Sequence, residues 1–503
     1  MGSSWKHLRP SAVWLATAVI MSITCSGDAF PWPDFGIKNT IANSGRVQTA
    51  ANELSGVFDN VNKHGIQLLS TYKVLSTARD VLYSISNDVA TGGKALAAAI
   101  GTLATNTGSS IDAAFGAATG AITNMETTLT TSVAARLATL DSQIGAYVGK
   151  ELRDSFTVLV TAGRKLSDAL GRLKPAVQQL QSSAKSIPPT LMLSLLDALK
   201  NMQTNVPVVS YTMSTSLYNL ELADKFIVDS TARAEQEIAT IDTSYTTYST
   251  ETTGAANDMA ESLRASIAEG YDKQVAAIVP IQTLLDASGD YTANFQRRML
   301  QFQEVYGTEA LDTLKATIVQ RFDEYVQLME ELDNDVSDFF ANDACPALLA
   351  TVQELISSGP HAVFCFEKYS YLAYNLFHDF ALLVNACYQE ELGRLSALYL
   401  AAAPFVHIIL FDVEDLADSL ATCVRYSDSA RCFSAITSYY EALLAQTTAK
   451  RYYLQELMAR ELEASSNRLA SCYTVNKFFI LQQVVNISTN VQLCGKNGVA
   501  NTV

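Results

Sequence analysis

A chain of 503 residues, 49% hydrophobic and 17% charged, can bury a sizeable core, and its length suggests two or three domains. The formal net charge is −16, and no Lys/Arg-rich block relieves it. That balance argues against a nucleic-acid partner, which needs clustered cations, and favours solubility and cationic partners.

Residues 1–27 read as a secretory signal. Lys6 and Arg9 give the positive flank, Ala12 to Ile23 the apolar region, and Cys25, Ser26 and Gly27 the small residues at a cleavage site. The apolar region is too short to cross a bilayer, which takes about 20 residues. No second run of about 18 bulky apolar residues stands out, and no C-terminal lipid-anchor signal is evident. The mature chain is therefore expected to be secreted and extracellular, where disulfides persist.

Residues 28–187 form a region of long helices. It opens on an irregular arm, Phe30-Pro31-Trp32-Pro33-Asp34-Phe35-Gly36, whose aromatics are expected to dock on the body. From Asp34 to Lys174 no proline occurs. A β-protein of that length would show turn residues and period-two alternation, whereas here apolar residues recur at threes and fours. The clearest run is Leu152, Phe156, Leu159, Gly163, Leu166, Leu170, Leu173, Val177 and Leu180, a heptad seam. Val133, Leu137, Leu140 and Ile144 lead into it through Val148, with two steps of four as in a stutter. Pro175 predicts a kink or restart. The seam reads first as packing inside one chain and second as a dimeric coiled coil. Gly92 to Asn124 is rich in Ala, Gly, Thr and Ser, and Gly116-Ala117-Ala118-Thr119-Gly120 matches the small-xxx-small pattern of membrane helices. Close helix packing, a mobile loop and insertion into lipid are its three readings.

Residues 188–344 form a middle helical region. Ser186-Ile187-Pro188-Pro189 marks the break before it, and Pro207 is expected to end a short helix from Thr190 to about Asn205. A second helical pattern covers Val208 to Ala277. Inside it Ser244-Tyr245-Thr246-Thr247-Tyr248-Ser249-Thr250 reads as a solvated face, a loop or a glycosylated patch. Pro280 starts or kinks the next helix. Leu311, Leu314, Ile318, Phe322, Tyr325, Met329, Leu332, Val336 and Phe339 keep helical spacing. Asp333-Asn334-Asp335 opens like a calcium loop, but no glycine follows to make its turn, so a solvated acidic face is expected.

Residues 345–503 hold the cysteines. Cys365 and Cys387 are 22 residues apart, as are Cys472 and Cys494, and Cys423 and Cys432 flank a polar turn at Tyr426-Ser427-Asp428-Ser429. The pairs Cys365/Cys494, Cys387/Cys472 and Cys423/Cys432 are all symmetric about a point near Asp428. At about 100° per residue, 22 steps return close to the same helix face. A helical hairpin stapled at three levels fits this spacing. Six cysteines permit about 15 pairings, and some of them can equally be buried thiols. Cys345 is left over, either free or paired with Cys365. The arm from Cys387 to Cys423 is four residues shorter than that from Cys432 to Cys472, and Pro404 lies on it. His361 to about Leu400 is apolar on most faces and is expected to be the buried central helix. Asn486-Ile487-Ser488 is a glycosylation acceptor triplet.

Catalytic signatures are missing. There is no Gly-x-Ser-x-Gly elbow, phosphate loop, dinucleotide fingerprint, His-Glu-x-x-His or Cys-x-x-Cys. His64, His361, His378 and His407 are too far apart in sequence for a helical metal pair. Glu414-Asp415 is one of many acid pairs. No catalytic, cofactor-binding or metal residue is assigned, and an enzyme is not expected.

Cys387, Cys423, Cys432 and Cys472, with the helical pattern between them, resemble the insect secreted module known as the TsetseEP domain. The resemblance covers about 345–494 and implies a helical, cysteine-bearing extracellular module with a gut or immune role. Two functions are carried forward. The first is a secreted, non-enzymatic all-helical structural or interaction protein with a protein or glycan partner. The alternative is a lipid-binding or membrane-inserting, pore-forming-like helical protein. The signal reading predicts that the secreted form begins between Gly27 and Phe30, as N-terminal sequencing checks; retention of Ala12 to Ile23 would make that stretch an anchor.

Overall fold

The computed structural model describes residues 43–106, 110–182 and 187–498. The signal segment 1–27 and the arm at Phe30 to Gly36 lie outside them. The fold is all-α, and no strand occurs among the described residues. In chain order the helices are α1 (Ser44–Asp59), α2 (Lys73–Thr105), α3 (Ile111–Thr127), α4 (Ala134–Ile144), α5 (Ala146–Ser182), α6 (Pro189–Ile278), α7 (Gln282–Asp286), α8 (Gly289–Asn294), α9 (Gln296–Tyr306), α10 (Thr308–Phe339), α11 (Cys345–Ile356), α12 (Ala362–Leu410), α13 (Leu416–Arg425) and α14 (Ser429–Asn497).

The helices gather into two compact units. Of the described residues, the first holds 43–62, 87–133 and 155–209, and the second 63–86, 134–154 and 210–498. This division does not follow the linear regions 28–187, 188–344 and 345–503. α2, α5 and α6 each contribute to both units, and helical turns continue across the boundary at 344/345.

In the first unit the heptad seam is buried at Phe156, Leu159, Leu166, Leu170, Leu173 and Val177. Gly163 of the seam packs against Met202 and Ile122, which a Cβ there would meet at 3.5 and 3.6 Å, ordinary contact distances. Gly93 sits under the Phe58 ring, with room for no side chain: a Cβ would lie 2.2 Å from it. Close helix packing thus explains Gly92-Gly93. Gly116 and Gly120 differ, since nothing lies within 4 Å of their Cβ positions. The stutter expected near Ile144 is a break, Gly145 at φ +84° between α4 and α5.

Three prolines expected to kink or end helices do not end them. α5 continues through Pro175, α6 through Pro207 and α12 through Pro404. A proline removes one backbone bond and strains the turn before it. Buried neighbours hold each site: Leu173 and Val177, Val206 and Val209, Ala402 and Val406. Burying such side chains is worth about 1.5–3 kcal/mol each, enough to offset the break. Pro280 does act as a stop, in a 3-10 turn at Val279–Ile281.

The second unit is built on α12 and α14, which pack along each other and against α10 and α11. Its core is aromatic: Phe380 meets Phe339, Phe340 and Tyr473 with ring centroids 4.5, 5.7 and 5.7 Å away. The Thr-rich stretch 244–250 is regular helix, not a loop. Thr247 and Thr250 hydroxyls donate to carbonyls four residues back, at 2.9 and 2.8 Å, while Tyr248 is buried against Tyr388.

Cys365–Cys494, Cys387–Cys472 and Cys423–Cys432 are bonded, with Cα separations of 5.8, 6.1 and 5.2 Å, inside the usual range of about 4.4–6.8 Å. The outer two bonds join α12 to α14, and the inner one joins α13 to the start of α14. Asp428 caps α14 by accepting from the Arg431 N–H at 3.2 Å. The shorter arm is interrupted at Phe411 to Asp415, between α12 and α13, and not at Pro404. Cys345 is free.

Glu391 lies inside this hairpin at 1% exposure. Its carboxylate accepts from Arg468 Nε at 2.7 Å, Arg468 Nη2 at 3.1 Å, Ser465 Oγ at 2.7 Å, and from Arg394. Burial alone would raise its carboxyl, but those hydrogen bonds outweigh it and hold the group below the ordinary carboxylate range. Ser465 also bonds the Tyr325 hydroxyl at 2.8 Å, which in turn bonds Tyr248. One buried polar chain therefore ties α6, α10, α12 and α14 together.

By length and composition α12 is long and apolar enough to cross a membrane, with a mean hydropathy of 1.5 over a window that is 28% buried. This corrects the expectation that no second such run exists. Arg394, Pro404 and His407 punctuate the run and hide it from inspection of the sequence. It also corrects the expectation of a fully buried central helix, since Leu382 and Leu400 are 55% and 68% exposed.

Replacing Cys387 and Cys472 together by serine is expected to lower the stability of this unit by about 2–4 kcal/mol, seen as a lower thermal midpoint with helical circular dichroism retained at room temperature. An unchanged midpoint would show that packing and the remaining Cys365–Cys494 bond suffice to hold the register of α12 on α14.

Candidate functional site

The second unit contains an apolar cavity of about 380 Å³, within the range of about 300–1,000 Å³ typical of small-molecule sites. One wall is α6, which presents Phe226, Ser230, Ala234 and Ile238 at successive steps of four. The opposite wall comes from the junction of α10 and α11. There the helix widens into a π-turn, Phe340–Ala344, a form often found at functional sites. Pro346 follows and has no N–H to continue the regular ladder. The extra residue of the wider turn sets Phe340 and Ala341 on the cavity, and α11 adds Cys345, Leu348 and Val352. Phe377 of α12 and Tyr72 complete it.

Tyr72 ends a non-helical strap, residues 63–72. Two clips hold the strap. The Leu69 and Ser70 N–H groups donate to the Asp224 carboxylate at 2.6 and 2.9 Å, and Asp224 is 3% exposed. The Tyr83 hydroxyl accepts from the Ile66 N–H at 2.5 Å and donates to the Ile66 carbonyl at 3.2 Å. An open groove of about 760 Å³ runs between the strap and α6 and shares Tyr72, Ile227, Thr231 and Glu235 with the cavity. The cavity thus opens outward along the strap.

Polar groups in the lining are few. Glu235 is exposed at the rim, shared with the groove. Ser230 is 2% exposed, and its hydroxyl has no hydrogen-bond partner. Cys345 is half-buried, and burial pushes its thiol up, which disfavours the nucleophilic thiolate. One turn before Ser337 on α10, burial, with Asp242 and Glu330 beside it, pushes the Asp333 carboxyl up to about 6.

The sequence-predicted residues fall elsewhere. The six paired cysteines form the ladder already described, at a distance in sequence from every lining residue except Phe377. Asn486 is exposed on α14 and accepts from Gln482 Nε2 at 3.2 Å, while the Ser488 hydroxyl of its triplet is buried without a partner. Asp333, Asn334 and Asp335 lie on regular α10, and among the described residues no group of three metal-ligating side chains forms. His378 pairs with the buried Glu237 at 3.2 Å, and His407 is exposed on α12. Ser230, Asp224 and Cys345 as cavity or strap residues were missed. The signal for Asp224 was a charge at a helical step from Leu217 and Leu220; Ser230 and Cys345 carry no sequence signal that links them. Set against known protein families, curated proteins and solved structures, the chain finds no match.

Asp333 gives a pH test. A carboxyl raised in the fold favours the folded state fully below its unfolded pKa of about 3.8, and that contribution is lost as pH rises through about 6. Because the group is only half-buried, the effect is smaller than the shift alone implies. Asp333→Asn is therefore expected to raise the thermal midpoint at pH 7.5 and to leave it nearly unchanged at pH 4. An equal shift at both pH values would contradict the raised carboxyl.

Proposed function

We propose that the protein is a secreted, non-enzymatic helical interaction protein that works by binding, and that its ligand is a small apolar molecule. The observation that carries this is the cavity between α6, the α10–α11 junction and α12. Its walls are mostly packed helices, of which α12 is also tied to α14 by two disulfides, and such a frame suits a preformed space, as ligand sites usually are. The three disulfides suit an oxidising, extracellular compartment. In that setting Asn486 is the glycosylation site we propose. The resemblance to the TsetseEP module adds an insect gut or body-fluid setting.

A second reading, membrane insertion, is favoured by the apolar length of α12. Against it stands the covalent attachment of α12 to α14 at two levels, which insertion would have to accommodate.

The two readings separate experimentally. Organic extraction of the secreted protein, followed by mass spectrometry, is expected to release an apolar molecule that Ala234→Trp protein does not carry. Dye-loaded liposomes are expected to stay intact with the native protein. Leakage that Leu400→Glu on α12 abolishes, with no extractable ligand, would favour insertion instead.

A further inference from the structure

The lining of the cavity defines the class of molecule it takes. Its area is almost wholly hydrocarbon and aromatic, from Phe226, Ile238, Phe340, Leu348, Val352 and Phe377. Such a surface gains from covering an apolar ligand at about 25 cal/mol per Å². An apolar cavity of about 150 Å³ takes benzene.

Charge narrows the choice. The ionisable acid among the lining residues is Glu235 at the rim, and the lining includes no Lys, Arg or His. Lys73 lines only the outer groove. A ligand carboxylate inside the cavity would lose its hydration with no cation to replace it, beside a like charge at the mouth and in a protein of net charge −16. Anionic lipids are therefore the wrong class.

Ser230 supplies the one specific feature. On a helix, a buried serine ordinarily returns its hydroxyl to a carbonyl one turn back. Ser230 does not: the residue is 2% exposed, and its hydroxyl is buried without a partner. A buried hydroxyl left unsatisfied costs about 1–3 kcal/mol. Its neighbours on the cavity wall, Phe226 and Ala234, offer no side-chain acceptor or donor. A ligand bearing a hydroxyl or carbonyl would satisfy it.

We propose that the cavity binds a neutral, mostly apolar molecule of about fifteen heavy atoms, carrying a single hydrogen-bonding group that Ser230 engages. This rests on the binding reading above and adds the ligand class. Such molecules are straight-chain alcohols, aldehydes and compact terpenoid alcohols, and not free fatty acids.

The test uses the full secreted chain and N-phenyl-1-naphthylamine, a neutral fluorescent probe without a hydroxyl. Dodecan-1-ol is expected to displace the probe at least about tenfold better than dodecanoate at pH 7.5. Ser230→Ala should weaken dodecan-1-ol by about three- to tenfold more than it weakens the probe. Glu235→Gln should narrow the gap between alcohol and carboxylate. Dodecan-1-ol should also slow alkylation of Cys345 by N-ethylmaleimide, since that residue lines the same cavity from the opposite wall. Ala234→Trp and the rim variant Ala341→Phe should both exclude the probe, so the result does not rest on one variant folding. Dodecanoate binding as tightly as dodecan-1-ol, or Ser230→Ala without effect on the alcohol, would overturn the ligand class and leave the cavity reading standing. No probe binding by the native chain, with Cys345 alkylated at the same rate with and without dodecan-1-ol, would overturn the binding reading itself.

Discussion

The second unit depends on one register, that of α12 against α14. Two disulfides fix it at points 22 residues apart on each helix, about 33 Å at 1.5 Å per residue. With both bonds closed, neither helix can slide along the other. Glu391 is four residues past Cys387, and Arg468 is four residues before Cys472. On antiparallel helices those positions face each other one turn inside the same rung. A carboxylate at 1% exposure would be strongly destabilising without its partner, and the rung keeps the partner opposite. The polar chain then carries the register outward, through Ser465 and Tyr325 to Tyr248, so that α6 and α10 are aligned by the same constraint.

The cavity is a product of that alignment and of one irregularity. The α10–α11 junction is not regular helix: it passes through the π-turn Phe340–Ala344, and Phe340 and Ala341 of that turn face the α6 stripe across the cavity. The π-turn before Pro346 redirects the chain, and the space opens there. The strap borders the outer side of that space through a different device, a buried Asp224 whose charge is met by two backbone N–H groups. Glu235 and the strap put polar groups at the edge, while the interior is apolar apart from Ser230. On the binding reading proposed above, this arrangement suits a small molecule with little polarity, held by shape more than by charge.

The fold was legible because its signals are local or symmetric. Apolar steps of three and four from Leu311 to Phe339 need only one helix to interpret, and all but Leu332 of that series are buried. The cysteine ladder needed only reflection about Asp428, and the same reflection pairs Glu391 with Arg468, a contact that was there to be read. The prolines were misread because their local penalty was weighed without the buried residues on either side. Pro207, between Val206 and Val209, shows how tertiary packing overrides it. The cavity was not legible at all. Ser230 and Cys345 are 115 residues apart, and nothing in the intervening sequence says that their helices meet. A space between helices is set by backbone paths and by the side chains that stop short of filling it, and neither has a motif.

The nesting of the three disulfides has a topological result. Because Cys365–Cys494 encloses the other two, the polypeptide between those residues is a closed ring, with a second ring and a small third one inside it. A protease that cuts this ring once, anywhere along it, opens the ring without releasing a piece. The two new ends stay tethered on helices that remain aligned by the uncut bonds. Damage in a protease-rich fluid would thus accumulate silently, invisible to any separation by size until a reductant is added, and the unit would fail only when a second cut falls on the other arm or the bonds themselves are reduced.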